Sequence, residues 1–139
     1  MRTLAVYVAS KFENSAAVRE AQLAVLAEGC VVTHDWTGED FTRAEELGLS
    51  AQEYSIRCAE ADYLGACSAD VVLLLANYGP GLGPMKGGLI EAGIGMASGA
   101  LIFCVGGLAT SIFENMPCWQ HFDTLEQAIV AIRELAEGK

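Results

Sequence analysis

The sequence has little positive charge: 8 Lys and Arg residues stand against 18 Asp and Glu residues, giving the 139-residue chain a formal net charge of −10. Nucleic acids and anionic membranes are bound mainly through Lys and Arg, so we expect neither a nucleic-acid polymer nor a membrane surface as partner. Disorder is excluded as well, because 53% of the residues are apolar and can form a core. The length predicts one domain over residues 1–139.

The sequence also lacks the cysteine patterns of disulfide-bonded and zinc-binding proteins. Its 5 cysteines are odd in number and include no C-x-x-C pair, which argues against a disulfide framework and a structural zinc site. Cys30 and Cys104 lie in apolar runs and are predicted to be buried. Free cysteines are typical of the reducing cytoplasm, so we expect a cytoplasmic protein without a bound metal.

Charge is nearly absent from the middle of the chain. Residues 71–113 contain only Lys86 and Glu91, and the uncharged run around Glu91 exceeds the ~20 residues that cross a bilayer. Seven glycines between positions 87 and 107 divide this run into pieces of ordinary helix and strand length. The N-terminus has no apolar leader segment. We therefore expect no transmembrane helix.

Short apolar runs alternate with helical patterns along the chain. The runs predict buried strands at residues 3–9, 30–33, 71–76 and 101–105. The helical patterns begin after Asn14, Ser50, Gly87 and Thr124, and those at Ser50 and Thr124 start with capping boxes. This alternation indicates an α/β fold, a flavodoxin- or Rossmann-like doubly wound parallel sheet of about five strands flanked by helices. Ligands of such sheets bind outside the carboxyl ends of the strands.

The common phosphate-binding motifs are missing. The segment Gly93–Ser98 lacks the third glycine of G-x-G-x-x-G and falls inside a predicted helix, and Lys86 lacks the Walker spacing of glycines. We therefore expect no dinucleotide and no other cofactor. Two polar loops, residues 34–49 and the Gly-rich residues 77–84, are long enough to be functional.

Glu91 is the only acid among residues 71–113 and is predicted in the first turn of a helix that follows a Gly-rich loop. A helix N-terminus favours an ionised carboxylate, and Gly87 and Gly88 would allow a ligand to approach closely. The pattern leaves two interpretations open: a catalytic carboxylate, or an acid that only complements the helix dipole.

The other candidate residues lie near predicted strands. Asp62 is near a helix end, where an acid opposes the dipole, and Tyr7 lies in the first strand and needs a hydrogen-bond partner if buried. Phe12 and Trp36 follow the first two strands, where aromatic rings could stack on a nucleobase. A purely structural role stays open for each of these four residues. The pair His34-Asp35 is interpreted as a solvated turn, because no Ser or Cys is placed for a triad.

Taken together and in order, several segments resemble the nucleoside 2-deoxyribosyltransferase-like family, which includes nucleoside 5'-monophosphate N-glycosidases. The segments are Val6–Phe12, Ala61–Leu64, Ala69–Val72, Phe113–Pro117, Gln120–Thr124 and, most sharply, Gly87–Gly99 with the pattern Gly-Gly-x-x-Glu-x-Gly-x-x-x-Ala-x-Gly. They span nearly the whole chain.

The resemblance implies an enzyme that acts on N-glycosidic bonds. Glu91 matches the family's carboxylate that attacks the anomeric carbon, Tyr7 matches the phenol that positions it, and Asp62 matches the acid near the departing base. The implied reaction is transfer of a (deoxy)ribosyl group from a nucleoside to an acceptor nucleobase through a covalent glutamyl-glycosyl intermediate. The alternative is hydrolysis of nucleoside 5'-monophosphates by the same Glu.

The sequence departs from the family at two places. Met85-Lys86 occupies a region where the transferases often carry an acid, and only Ser10, Thr110 and Ser111 could replace the serine-rich phosphate pocket of the hydrolases. The resemblance also implies a homodimer or higher homo-oligomer with shared sites, in which Ser111 or Asn115 acts in trans.

The bases of the predicted site loops are Lys11 and Lys86 alone, which favours a nucleoside over a nucleotide substrate. Two other hypotheses stay open. The segment Gly81–Glu91 loosely resembles the lysine-decarboxylase-like phosphoribohydrolases. A non-catalytic nucleotide-binding or sensing domain could use the same fold, and it would bind nucleotides without turnover.

Overall fold

The structure, a computed structural model, describes residues 3–76, 86–107 and 112–138. The strands among these residues are β1 Ala5–Ala9, β2 Val31–Val32, β3 Val71–Leu75, β4 Leu101–Val105 and β5 Trp119–Phe122. The α-helices are α1 Ser15–Ala27, α2 Ala51–Cys67, α3 Lys86–Ala97 and α4 Leu125–Ala136. The strands form one parallel sheet in the order β2-β1-β3-β4-β5. This confirms the predicted α/β doubly wound fold.

The core lies on both faces of the three central strands. Side chains of β1, β3 and β4 are almost completely buried, while α1 packs beside α4 and α2 packs beside α3. A parallel strand covered on both faces has no solvent side, which is why these strands are continuous apolar runs. Tyr7 is the exception in the three strands, because it carries a hydroxyl group into the core.

The sheet has a topological switch point between β1 and β3. The chain leaves β1 for β2 on one side and then returns through α2 to β3 on the other side. Connections that leave adjacent strands in opposite directions open a crevice at the carboxyl edge of the sheet. The fold thus places a ligand crevice beside the ends of β1 and β3.

Most predicted elements are confirmed, and the differences lie at edges and helix ends. Strand β5 falls in a segment predicted to be irregular, because its residues Trp-Gln-His-Phe do not form an apolar run and only Trp119 is buried. The capping boxes at Ser50 and Thr124 are confirmed. Asn14 precedes α1, but its side chain caps nothing and instead donates a hydrogen bond to Ser10 Oγ, 3.0 Å away.

The expectations for the cysteines and for a transmembrane helix concern described residues, whereas the expected Gly-rich loop does not. All five cysteines are free, and Cys30 and Cys104 are buried as predicted. No helix in the described part of the chain is long and apolar enough to cross a bilayer. The predicted Gly-rich loop at 77–84 lies outside the described residues, as do residues 81–85 of the segment behind the phosphoribohydrolase hypothesis.

Candidate active site

A partly buried hydrogen bond joins β1 to α3 beside the switch point. Tyr7, in the middle of β1, is completely buried, and its hydroxyl donates a hydrogen bond to Oε2 of Glu91. Glu91 is only partly exposed and lines an open cleft. The bond fixes one carboxyl oxygen of Glu91 and leaves the other available to a ligand.

Two glycines bring the acid-bearing helices close to the sheet. At Gly65 in α2 an added Cβ would lie 2.9 Å from both Tyr7 Cδ2 and His34 Cβ, and at Gly95 in α3 it would lie 2.5 Å from a Val72 methyl group. Asp62 precedes Gly65 by three residues and Glu91 precedes Gly95 by four. Side chains at these spacings share a helix face, so both acids point toward the sheet.

Burial is the largest influence on the pKa of Glu91, and it disfavours the ionised carboxylate. This pKa is raised to about 7, chiefly by desolvation; the hydrogen bond from Tyr7 lowers it and the nearby charge of Asp62 raises it. The expected position in the first helical turn is wrong, because Glu91 is the sixth residue of α3 from Lys86 onward. The helix dipole acts mainly within the first turn, so the phenol of Tyr7 is the group that favours the ionised carboxylate.

Asp62 lies in a different environment within the same cleft. Its pKa is raised to about 7, chiefly by burial and also by the neighbouring carboxyl of Glu39, while His34 acts in the opposite direction. His34 Nε2 lies 3.2 Å from Asp62 Oδ1 and 3.4 Å from Glu39 Oε2. The interpretation of His34 as part of a solvated turn is therefore wrong, because its ring faces two acids. Its neighbour Asp35 caps the short helix at 36–38 by accepting from Thr37 N at 2.9 Å.

Glu39 is a cleft residue that the sequence did not single out. It lines the cleft with 13% of its side chain exposed, and burial raises its pKa while the hydrogen bond from Asp62 lowers it. The polar loop that contains it was predicted to be functional, but the loop holds several acids of similar appearance. Only the folding of the loop over α2 distinguishes Glu39 from exposed neighbours such as Glu45.

The cleft has a volume of about 370 Å³, within the range of roughly 300–1,000 Å³ that is typical of small-molecule sites. Its lining includes four acids, Glu13, Glu39, Asp62 and Glu91. Three aromatic side chains, Phe12, Trp36 and Phe41, and two bases, Lys11 and Lys86, also line it. The composition suits a ligand with a flat apolar part and a polar part.

Most of the predicted binding residues lie at this cleft. Ser10, Lys11, Phe12, Trp36 and Gly87 line it. Ser10 Oγ donates to Leu75 O at 2.9 Å, so this hydroxyl connects β1 to β3. Trp36 is buried and donates from Nε1 to Val8 O at 2.7 Å, so its ring is held against the core and contacts Phe12 at a centroid distance of 6.1 Å.

Two predicted binding residues, Gly88 and Asn115, are not part of the described lining, and a third cannot be placed against it. Gly88 is buried within α3. Asn115 is exposed on the short helix at 112–115 and donates to Ile112 O at 3.0 Å. Ser111 lies outside the described residues. Within one chain, therefore, nothing brings Asn115 to the cleft.

Two groups of possible metal ligands occur in the described part of the chain, each with donor atoms within 4.8 Å of one another: His34, Glu39 and Asp62 in the cleft, and Cys104, Glu114 and His121 elsewhere. In the first group, His34 Nε2 lies 3.2 Å from Asp62 Oδ1 and 3.4 Å from Glu39 Oε2, so an ion pair with the imidazole accounts for the grouping without a metal. In the second, burial raises the pKa of the Cys104 thiol to about 12, which disfavours the thiolate that a metal binds. A protein without a metal stays a prediction.

Comparison with known proteins extends the fold assignment. No family profile and no curated protein matches the sequence. Among solved structures, the chain is similar to the CMP N-glycosidase BcmB of Clostridium botulinum, with a TM-score of 0.57 over 92% of this chain and 97% of that chain. The sequence identity is 13%, so the similarity shows the fold alone. Function has to be argued from the site.

Proposed function

We propose that this protein cleaves the N-glycosidic bond of a nucleoside and transfers the (deoxy)ribosyl group to an acceptor nucleobase, with Glu91 as the nucleophile. The observation that carries this proposal is the partly buried Tyr7–Glu91 hydrogen bond at a cleft that also contains Asp62. The proposal is also supported by the N-glycosidase that shares the fold and by the family resemblance of the sequence.

In the first step, the ionised carboxylate of Glu91 attacks the anomeric carbon of the sugar. The carbon–nitrogen bond breaks and its electron pair leaves with the nucleobase, which takes a proton from Asp62. The product is a glycosyl ester on Glu91, as expected for carboxylate nucleophiles. Tyr7 donates to Oε2, so Oε1 is the oxygen that is free to attack.

In the second step, a ring nitrogen of the acceptor nucleobase attacks the same carbon and displaces Glu91. The acceptor gives its ring N–H proton to the carboxylate of Asp62, which restores the acid for the next cycle. Atoms and charge balance without a cofactor. The pKa of about 7 for each acid is near the pH at which acid–base catalysts work best.

The lining of the cleft suits the two halves of a nucleoside. The rings of Phe12, Trp36 and Phe41 offer faces on which a base can stack. The acids of the same lining, Asp62 and Glu91, supply acceptors for sugar hydroxyl groups and act on the bond between the base and the sugar.

A second candidate function is hydrolysis of a nucleoside 5'-monophosphate by the same Glu91, with water as the acceptor. The observation that favours it is the presence of both Lys11 and Lys86 in the cleft lining, where they could neutralise a phosphate. The structural neighbour is a CMP N-glycosidase, which supports the same alternative.

A product-resolved assay tests these proposals. The protein is incubated with nucleosides and with nucleotides, each with and without a second nucleobase, and the products are separated by HPLC. Sugar on the second base supports transfer, whereas free sugar or sugar phosphate supports hydrolysis. A 2-fluoro-substituted substrate should leave a sugar mass on the peptide that contains Glu91. Binding without any turnover would contradict both proposals and favour a nucleotide-binding domain.

A homo-oligomer is proposed for the assembly. Large apolar side chains are exposed on the outer sides of α2 and α3, namely Ile56, Tyr63, Leu64 and Ile90, and exposed apolar groups of this kind are common at subunit interfaces. A neighbouring subunit could bring Asn115 or Ser111 to the cleft. Light scattering on the purified protein tests this, and a monomer at all concentrations would contradict it.

A further inference from the structure

We propose that Tyr54 is a positioning residue that holds the aromatic loop, residues 36–43, in the arrangement that binds the nucleobase. This inference rests on the proposed function, because the base is one half of the substrate proposed above. Tyr54 is not among the described residues that line the cleft, and neither the sequence motifs nor the resemblance assigned it a role.

The aromatic loop contributes three side chains to the lining of the cleft, Trp36, Glu39 and Phe41. Trp36 is 5% exposed, and its Nε1 donates a hydrogen bond to Val8 O in the central sheet. Phe41, in the short helix at 41–43, is 52% exposed. The core therefore fixes the ring of Trp36, whereas the ring of Phe41 depends on contacts at the surface of the molecule.

Tyr54 of α2 makes two separate contacts with the aromatic loop. Its hydroxyl oxygen accepts a hydrogen bond from the backbone N–H of Asp40, with 2.8 Å between the heavy atoms. Its ring meets that of Phe41 edge to face, with the centroids 5.4 Å apart and the planes at 86°, a favourable geometry for aromatic pairs. The N–H of Asp40 belongs to the peptide that follows Glu39. Tyr54 thus holds the chain between the two cleft residues Glu39 and Phe41.

Both partners in this contact are fixed locally. Tyr54 lies in the first turns of α2, directly after the capping box at Ser50, and its N–H donates to Ser50 O at 3.0 Å. The side chain of Asp40 accepts from the N–H of Thr42 at 3.0 Å and caps the short helix that carries Phe41. The hydrogen bond from Asp40 to Tyr54 therefore sets the orientation of Phe41 relative to α2.

This arrangement predicts an effect on binding and not on bond cleavage. A base that contacts the ring of Phe41 keeps that contact in the transition state, because the base stays in place while the sugar carbon moves to Glu91. Contacts that are equal in the ground state and the transition state change KM and leave kcat unchanged. Tyr7, which positions Glu91, lies in β1 and outside the aromatic loop.

The test measures the dissociation constants of free adenine and free cytosine by calorimetry, together with kcat and KM for their nucleosides. Tyr54→Phe removes the hydroxyl, keeps the ring and should raise Kd and KM by about threefold. Tyr54→Leu removes both contacts and should raise Kd and KM by about 10-fold or more. In both variants kcat should stay within about twofold of wild type.

Two further variants separate positioning from a general structural role. In a Phe41→Leu background, Tyr54→Leu should raise Kd by no more than about threefold further, because the contact between the rings is already lost. Tyr63→Phe removes an exposed hydroxyl from the same helix. It is the matched control for Tyr54→Phe and should behave as wild type.

Three results would overturn the inference while leaving the proposed function intact. They are a fall in kcat of Tyr54→Leu at unchanged KM, base affinities equal to those of wild type, and fully additive effects of Tyr54→Leu and Phe41→Leu. A wild type that binds neither base would overturn it as well. If wild type binds a base but turns over no nucleoside, the proposed function fails, and the calorimetric comparison still decides the role of Tyr54. Circular dichroism of each variant identifies misfolding, and Tyr54→Phe, the mildest change, then decides.

Discussion

Glu91 and Asp62 lie in two regions of one cleft. Burial shifts the pKa of both acids in the same direction, whereas their hydrogen-bond partners shift the two pKa values in opposite directions. The pKa of each acid is raised to about 7, and burial is the largest cause for both. Glu91 accepts a hydrogen bond from the phenol of Tyr7, which favours its charged form. Asp62 is paired with the carboxyl of Glu39, which favours its neutral form. The comparison teaches that the hydrogen-bond partner of each acid, rather than its burial, decides whether the charged form suited to a nucleophile or the neutral form suited to a proton donor is favoured.

Removal of the nucleophile should have the largest effect. Glu91→Gln keeps the size of the side chain and removes the carboxylate, so cleavage of every substrate should fall by about 10⁴-fold or more. The measurement is kcat/KM on the best substrate of the product-resolved assay. Glu60→Gln, on the exposed side of α2, is the control. A Glu91→Gln protein with full activity would show that Glu91 is not the nucleophile.

Removal of the acid should have a smaller effect that depends on the substrate. Asp62→Asn cannot donate the proton, so cleavage of ordinary nucleosides should fall by roughly 10²–10⁴-fold. Cleavage of an N7-methylated purine nucleoside should be nearly unchanged, because this base leaves without a proton. The ratio of kcat/KM for the two substrates is the measurement. An unchanged ratio would mean that Asp62 acts on something other than the base.

Loss of the phenol should shift the acidic side of the pH profile. In Tyr7→Phe the carboxylate of Glu91 loses the hydrogen bond that favours ionisation, so its pKa should rise and the acid limb of kcat/KM should move to higher pH. A hydrogen bond to a charged group contributes about 1.5–3 kcal/mol, so activity should fall by roughly 10-fold to 100-fold. If the acid limb of Tyr7→Phe coincides with that of wild type, the phenol does not set the ionisation of Glu91.

The smallest expected effect is on stability. The folded-state pKa of Glu91 is raised from 4.5 to about 7, so the contribution of this one group to stability is fully present below pH 4.5 and is lost as the pH rises through 7. Glu91→Gln does not ionise. Its free energy of unfolding, relative to wild type, should increase by about 2 kcal/mol between pH 5 and pH 8. Urea unfolding at the two pH values measures this difference, and Glu60→Gln should show none.

The fold was largely predictable because buried parallel strands must be apolar on both faces. Strand β4 occurs at its predicted residues, and β1 and β3 lie within the ranges predicted for them. The capping boxes at Ser50 and Thr124 could be predicted because each is a pattern of four consecutive residues. Strand β5 was missed, since an edge strand needs fewer apolar residues. Its pairing with β4 is decided by long-range hydrogen bonds.

The candidate site was only partly predictable. Glu91 was conspicuous as the single acid of a neutral stretch, and Tyr7 as a phenol in an apolar strand. The reason offered for Glu91 was wrong, because the helix begins earlier and the dipole acts on other residues. Glu39 could not be found in a loop with several acids, since its burial depends on how that loop packs near α2.

The sequence by itself determined which segments are strands and helices and which single acid stands in the neutral stretch, because these follow from local patterns of polarity. Only the tertiary structure decided which groups meet. Residues 7, 39, 62 and 91 lie far apart in sequence, yet Glu39, Asp62 and Glu91 line one cleft and Tyr7 donates a hydrogen bond to Glu91. Gly65 and Gly95 allow α2 and α3 to pack closely against the sheet, which places Asp62 and Glu91 there. Desolvation and hydrogen bonding at short range then set each ionisation, and distance along the chain carries no information about either.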